Sequence, residues 1–154
     1  MSRVALDASC LVAAASQWHD HHSATIEAIG RLTAGGHEAV VPAHALAEAY
    51  AVLTRLPQPH RVTAAEALAI LEGTWRDRAA ASLDEEATWS TLASAAAADV
   101  IGGAVYDALI AAAAERAGAD SLLTWNARHF ERLSFVRLRI VTPEVVLAAD
   151  DEAG

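Results

Sequence analysis

Arg3-Val4-Ala5-Leu6-Asp7-Ala8-Ser9 stands at the head of the chain. A short apolar run that ends on an acid and passes at once into polar residues and a helical pattern reads as a buried β-strand. Strands with no polar alternation belong to parallel sheets covered on both faces. In such open sheets ligands collect outside the carboxyl ends of the strands, where Asp7 stands.

Working outward, similar runs occur at residues 37–41, closed by Pro42, at 121–124 and at 136–141, with a weaker fifth at 79–83. Helical segments lie between them. Pro42 is placed to open the helix that carries Glu48, Thr63 and Glu66 have capping-box spacing, Asp84 can cap a helix running through Trp89 and Leu92, and Thr142-Pro143-Glu144 opens a short last one. Strands alternating with helices predict an α/β fold, a three-layer α/β/α arrangement on a central parallel sheet of four to five strands. The extra helices after the second strand are expected to form a small helical lobe. The 154 residues fit one domain, 1–149, with a frayed tail at 150–154.

Residues 92–114 are apolar enough to suggest a membrane span. Asp99 and Asp107 within them would each cost about 2.5 to 3.5 kcal/mol near a bilayer centre, so the stretch is expected as one helix of a soluble domain with no membrane association. Cys10 is the only cysteine, which rules out an internal disulfide framework. With no signal-peptide pattern at Met1-Ser2-Arg3, the cytoplasm is the expected compartment.

The net charge is −9, which disfavours binding nucleic acid by a broad basic face. A local arginine stripe aided by bound metals is still compatible with that charge. All 11 basic residues are arginines. The lack of lysine excludes P-loop, Schiff-base and kinase chemistry, and no G-x-G-x-x-G follows the first strand.

Three acids stand alone among apolar residues: Asp7 after Leu6, Glu48 within Ala45-Leu46-Ala47-Glu48-Ala49-Tyr50, and Asp107 within Tyr106-Asp107-Ala108-Leu109-Ile110-Ala111. A desolvated carboxylate prefers to be neutral unless a positive charge compensates it, and none of these segments contains a basic residue. Two carboxylates about 4 Å apart repel by roughly 4 kcal/mol at an effective dielectric near 20, so a shared cation is the natural complement. An all-oxygen ligand set favours Mg2+ or Mn2+ over zinc. Asp107, Ala111 and Ala114 share a helix face, and their small side chains are expected to leave a groove above the acid. The competing reading makes Asp7 a helix cap, Glu48 a paired helix residue and Asp107 a helix-dipole acid.

Other features divide in the same way. Trp18-His19-Asp20-His21-His22 lacks the H-x-H-x-D-H order of metallo-hydrolases and reads as a solvated helix entrance. Arg55, Arg61, Arg76 and Arg78 suit either phosphate positioning or ordinary helix-surface charge, and Arg128 with Arg132 is the better phosphate-binding pair. Of Trp75, Trp89 and Trp125, only Trp125 adjoins suspected site residues and is expected to stack on unpaired bases. Leu46, Tyr50, Val52 and Leu53 with the apolar face of residues 67–71 suggest a patch for a second copy or a partner helix.

Four segments taken in order carry a resemblance across nearly the whole chain. Val4-Ala5-Leu6-Asp7-Ala8-Ser9, Pro42 to Glu48, Tyr106 to Ala111 and Leu123-Thr124-Trp125-Asn126-Ala127-Arg128-His129-Phe130 resemble a PIN domain, particularly the VapC-type toxins of bacterial toxin–antitoxin pairs. The resemblance implies a metal-dependent endoribonuclease with Asp7, Glu48 and Asp107 as metal-binding catalytic acids. It also implies Asn126 in a fourth catalytic position where many relatives carry aspartate, with Ser9 and Thr124 in the outer shell. Arg128 and Trp125 are the expected RNA contacts, and His129 stands where an aspartate often precedes the phenylalanine. Hydrolysis by water leaves a 5′-phosphate and a 3′-hydroxyl, and the implied partners are the RNA substrate, a cognate antitoxin and a second copy in a homodimer. The alternatives are a PIN-type RNA-processing nuclease, a PIN-like binding module without catalysis, and, more distantly, a phosphatase with Asp7 as nucleophile. The last usually needs an aspartate where this chain has Ser9.

Overall fold

A computed structural model describes residues 2–151. Strand β1 (Arg3–Leu6) lies in the middle of a five-stranded parallel sheet ordered β3-β2-β1-β4-β5, with β2 at Glu38–Pro42, β3 at Ala79–Ala81, β4 at Ser121–Leu123 and β5 at Arg139–Val141. Val4 pairs with Ala39 of β2 on one side and Ser121 of β4 on the other. Val4, Ala5 and Leu6 are all buried, which is why the opening run has no polar alternation.

Among the described residues seven α-helices flank the strands: α1 (Ala8–Ala15), α2 (His22–Ala34), α3 (Ala43–Arg55), α4 (Ala64–Trp75), α5 (Glu85–Ala97), α6 (Ala104–Arg116) and α7 (Pro143–Asp151). Because successive strand residues point to opposite faces, Val40 packs with Ala81 and Ala113 of α6. Its neighbours Ala39 and Val41 join the larger core with Leu11, Ala28 and Leu53. Both sheet faces are therefore covered by helices, as the sequence predicts. The capping box at Thr63 and Glu66 forms, and Asp84 caps α5 by accepting from the Ala87 N–H.

Three local expectations change. Residues 92–114 are not one helix: α5 ends, and Asp99 and Gly102 adopt positive φ of 54° and 59° before α6 begins. Glycine takes that conformation freely and aspartate tolerates it, so the turn reverses the chain inside the alanine-rich run. No helix among the described residues is long and apolar enough to cross a membrane. Strand β5 begins later than expected because the N–H groups of Val136, Arg137 and Leu138 all donate to one oxygen of Glu115, at 2.7, 3.0 and 3.3 Å, and not to a neighbouring strand. The two helices expected as a lobe, α3 and α4, share the main core through Leu53, Ala67, Leu71 and Trp75. Of the expected tail, residues 152–154 lie outside the described residues.

Candidate active site

Asp7 leaves β1 in extended conformation and its N–H donates to the Leu123 carbonyl at 3.0 Å, which ties the acid to the end of β4. Its side chain does not cap α1. Instead Oδ2 accepts from Thr124 Oγ1 at 2.7 Å and Ser9 Oγ at 2.9 Å. Those hydroxyls in turn accept backbone N–H groups, Thr124 from Asn126 at 2.9 Å and Ser9 from Trp125 at 3.0 Å. The chain leaving β4 thus orients both hydroxyl protons toward one buried carboxylate. Charge-assisted bonds of this kind are shorter and stronger than neutral ones.

Glu48 lies in the middle of α3, and Asp107 in the first turn of α6. Sequence separation does not keep the three acids apart: oxygens of Asp7, Glu48 and Asp107 all lie within 4.8 Å of one another. Oε2 of Glu48 is buried with no hydrogen-bond partner. Burial, and then the charge of Asp7, pushes the Asp107 carboxyl up to about 6. Burial also raises Glu48, followed by Asp7 and Asp107, while Arg55 and His129 pull the other way. The His129 imidazole Nδ1 stands 3.6 Å from Asp107 Oδ2.

A site of crowded oxygens, with one buried oxygen left unpartnered, fits a hard divalent cation and suits no soft one. The expected open groove above Ala111 and Ala114 is absent because both are buried in the core. Space beside the acids comes instead from Gly103 and Ala104 at the start of α6, in a cleft of about 440 Å³.

A profile of the PIN domain matches residues 4–136. The chain belongs to the PIN domain family. Over 137 residues it is 40% identical to Ribonuclease VapC40 of Mycobacterium tuberculosis, covering 89% of this chain and 95% of that protein, so it groups with the VapC-type members. Among solved structures, the Mycobacterium tuberculosis VapC20 toxin, described as cleaving the sarcin-ricin loop, superposes with a TM-score of 0.64 at 16% identity, covering 88% of this chain and 98% of that one. VapBC2 from Rickettsia felis, bound to a DNA fragment from its promoter, gives a TM-score of 0.63 at 18% identity, covering 90% and 98%. At those identities the two structures share the fold.

Within this PIN domain Asn126, Arg128, His129 and Arg132 line the same cleft as the acids. Asn126 is exposed, and Arg128 makes no ion pair among the described residues. Trp125 is placed differently from its expectation. Its indole N–H donates to Thr25 Oγ1 at 2.8 Å and its ring stacks on His21 at 3.7 Å, so it faces α2 and does not line the cleft. The histidine run forms the entrance to α2 and holds no metal-ligating cluster among the described residues.

Arg76 pairs with Glu72 at 2.6 Å at the end of α4, and Arg61, in the loop between α3 and α4, donates to the Leu56 carbonyl at 2.7 Å, so both are engaged locally. Cys10 is buried, and burial pushes its thiol far up, which leaves it chemically inert. Sequence reasoning missed the contact of His129 with Asp107 and the role of Gly103. The Gly102-Gly103 pair was the available signal for the second, and nothing local marked the first.

Proposed function

We propose that the protein is an endoribonuclease toxin that hydrolyses RNA phosphodiester bonds with Mg2+ or Mn2+ held by Asp7, Glu48 and Asp107, and that a cognate antitoxin keeps it inactive. The observation that carries this reading is the convergence of three carboxylates within 4.8 Å beside an open cleft. A bound divalent ion supplies Lewis acidity toward a phosphate oxygen and lowers the pKa of water. Ser9 and Thr124 fix Asp7 through Oδ2, and its Oδ1 accepts no hydrogen bond among the described residues. Orienting bonds of this kind from outside the ligand set are worth about 10- to 100-fold in metal affinity.

Arg128 stands at the cleft to hold a phosphate of the RNA in register. Asn126 and Glu48 face the same space and orient water for attack on phosphorus. With water as the nucleophile the reaction calls on no 2′-hydroxyl, so the products carry 5′-phosphate and 3′-hydroxyl ends. The naming of VapC40 as a ribonuclease supports the activity, and the paired VapBC2 proteins support an antitoxin.

The expected apolar patch reduces to a groove between α3 and α4, where Leu46, Tyr50 and Leu68 surround about 330 Å³. Leu53 is buried within the chain. This groove is the surface we assign to a protein partner, either antitoxin or the second copy of a homodimer, acting in the cytoplasm. Incubating purified protein with mixed RNAs in Mg2+, Mn2+ or EDTA tests the reading. Metal-dependent cuts support it, whereas tight RNA binding without cuts favours a binding module, for which Asn126 in place of a fourth acid is the specific argument.

A further inference from the structure

A second cavity, of about 300 Å³, lies between α5, α6 and the segment that follows the short 3-10 helix Ala127–Phe130. It shares one lining residue, Arg132, with the acid cleft. Ser90 and Ser94, one turn apart on α5, and Ser134 on the opposite side also line it. None of these hydroxyls, nor Arg132, has a protein partner among the described residues. The remaining wall is largely small and apolar, with Ala98, Ala112 and a half-buried Phe135. This wall is held in place, since Glu115 clamps the three N–H groups just beyond Phe135.

We propose that this cavity binds one unpaired nucleotide of the RNA next to the phosphate that is cut. The inference rests on the nuclease reading above and deepens it. A nucleobase has two flat apolar faces and a polar edge, and unpaired bases are recognised by covering the faces and hydrogen-bonding the edge. Alanine and phenylalanine surfaces suit the faces, and hydroxyls, which both donate and accept, suit the edge.

Arg132 can hold the phosphate that links this nucleotide to the acid cleft. The volume lies at the lower end of the roughly 300 to 1,000 Å³ typical of small-ligand sites, enough for one nucleotide. The Glu115 carboxylate is already engaged by backbone donors, so the cavity offers little to a cationic ligand.

The test uses Ser94→Leu, which fills the cavity from an exposed position on α5, and Ser134→Ala, which removes one hydroxyl with little change of shape. Binding of fluorescently labelled single-stranded homopolymers of A, C, G and U is measured by anisotropy in EDTA. Hydrolysis of bis(p-nitrophenyl) phosphate with Mn2+ serves as an activity that needs no second cavity. The expected result is a base preference in the native protein that Ser94→Leu abolishes, with binding weaker by about tenfold, a smaller loss in Ser134→Ala, and unchanged hydrolysis of the small diester.

Unaltered affinity and base preference in both variants, with the small diester still hydrolysed, would overturn the nucleotide site and leave the nuclease standing. A cavity that serves a protein partner gives that same result. Absence of both RNA binding and diester hydrolysis in the native protein would remove the nuclease reading and this inference together.

Discussion

The two sides of the acid cleft are built on opposite principles. On the strand side, Asp7 is only 3% exposed, and Oδ2 accepts two hydroxyl bonds anchored by the backbone of residues 125 and 126. On the helix side, among the described residues, Glu48 leaves a buried oxygen unpartnered, and the one ion-pair contact of Asp107 is an imidazole 3.6 Å away. One side is organised before any ligand arrives, while the other is frustrated without one. Such an arrangement suits a cation better than it suits the stability of the metal-free fold, because buried charge without compensation is costly.

Removing a charge from the helix side should cost the most activity. Asp107→Asn is expected to lower metal-dependent RNA cleavage by about a thousandfold while the far-ultraviolet circular dichroism stays native. Full activity in a folded Asp107→Asn protein, free of contaminating nuclease, would take that residue out of the site.

Next in size is a change on the strand side that spares the acids. Thr124→Val removes one of the two bonds to Asp7 and leaves the Asn126 N–H without its acceptor. Mn2+ affinity measured by calorimetry should fall by about 10- to 100-fold. An unchanged affinity would mean that the hydroxyl pair does not prepare Asp7 for metal.

Arg128→Ala tests the mouth of the cleft and not its floor. KM for RNA should rise by about tenfold with kcat little changed, and the slope of affinity against salt should become shallower by about one unit. A selective fall in kcat would instead give Arg128 a role in the reaction itself.

The Asp107 carboxyl should also shift thermal stability, by a smaller amount. Asp107 titrates near 6, above its ordinary 3.8, so the folded protein binds that proton more tightly than the unfolded chain does. Its contribution is present below about pH 4 and is lost as pH rises through about 6. Melting of the metal-free native protein should therefore decline across that range relative to Asp107→Asn. Near pH 7 the variant should melt a few degrees higher, about 2 to 4 °C per kcal/mol regained. Saturating Mg2+ should reverse the order, because a ligand that binds only the folded native protein raises its melting temperature. A variant that melts lower than the native protein in EDTA would contradict the frustration assigned to the helix side.

Much of this was readable from residue order. The unbroken apolar runs at β1, β2 and β4 declare strands buried on both faces, and the isolation of Asp7, Glu48 and Asp107 among alanines and leucines marks them as acids in need of compensation. The break between α5 and α6 was harder to see because alanine continues on both sides of it. The orientation of Trp125 was not legible at all. Its partners Thr25 and His21 are far away in the chain, and only the tertiary fold brings the start of α2 to the segment that follows β4. The contact of His129 with Asp107 depends on tertiary structure in the same way.

The strand order has a consequence for biosynthesis. Among the described strands β1 comes first in the sequence yet occupies the middle of the sheet, and one of its edges has no partner until β4 follows. Asp7 gains its Thr124 bond only then, after Glu48 and Asp107 have already emerged. A nascent chain therefore cannot brace Asp7 through Thr124 until β4 has been made, long after the acid itself.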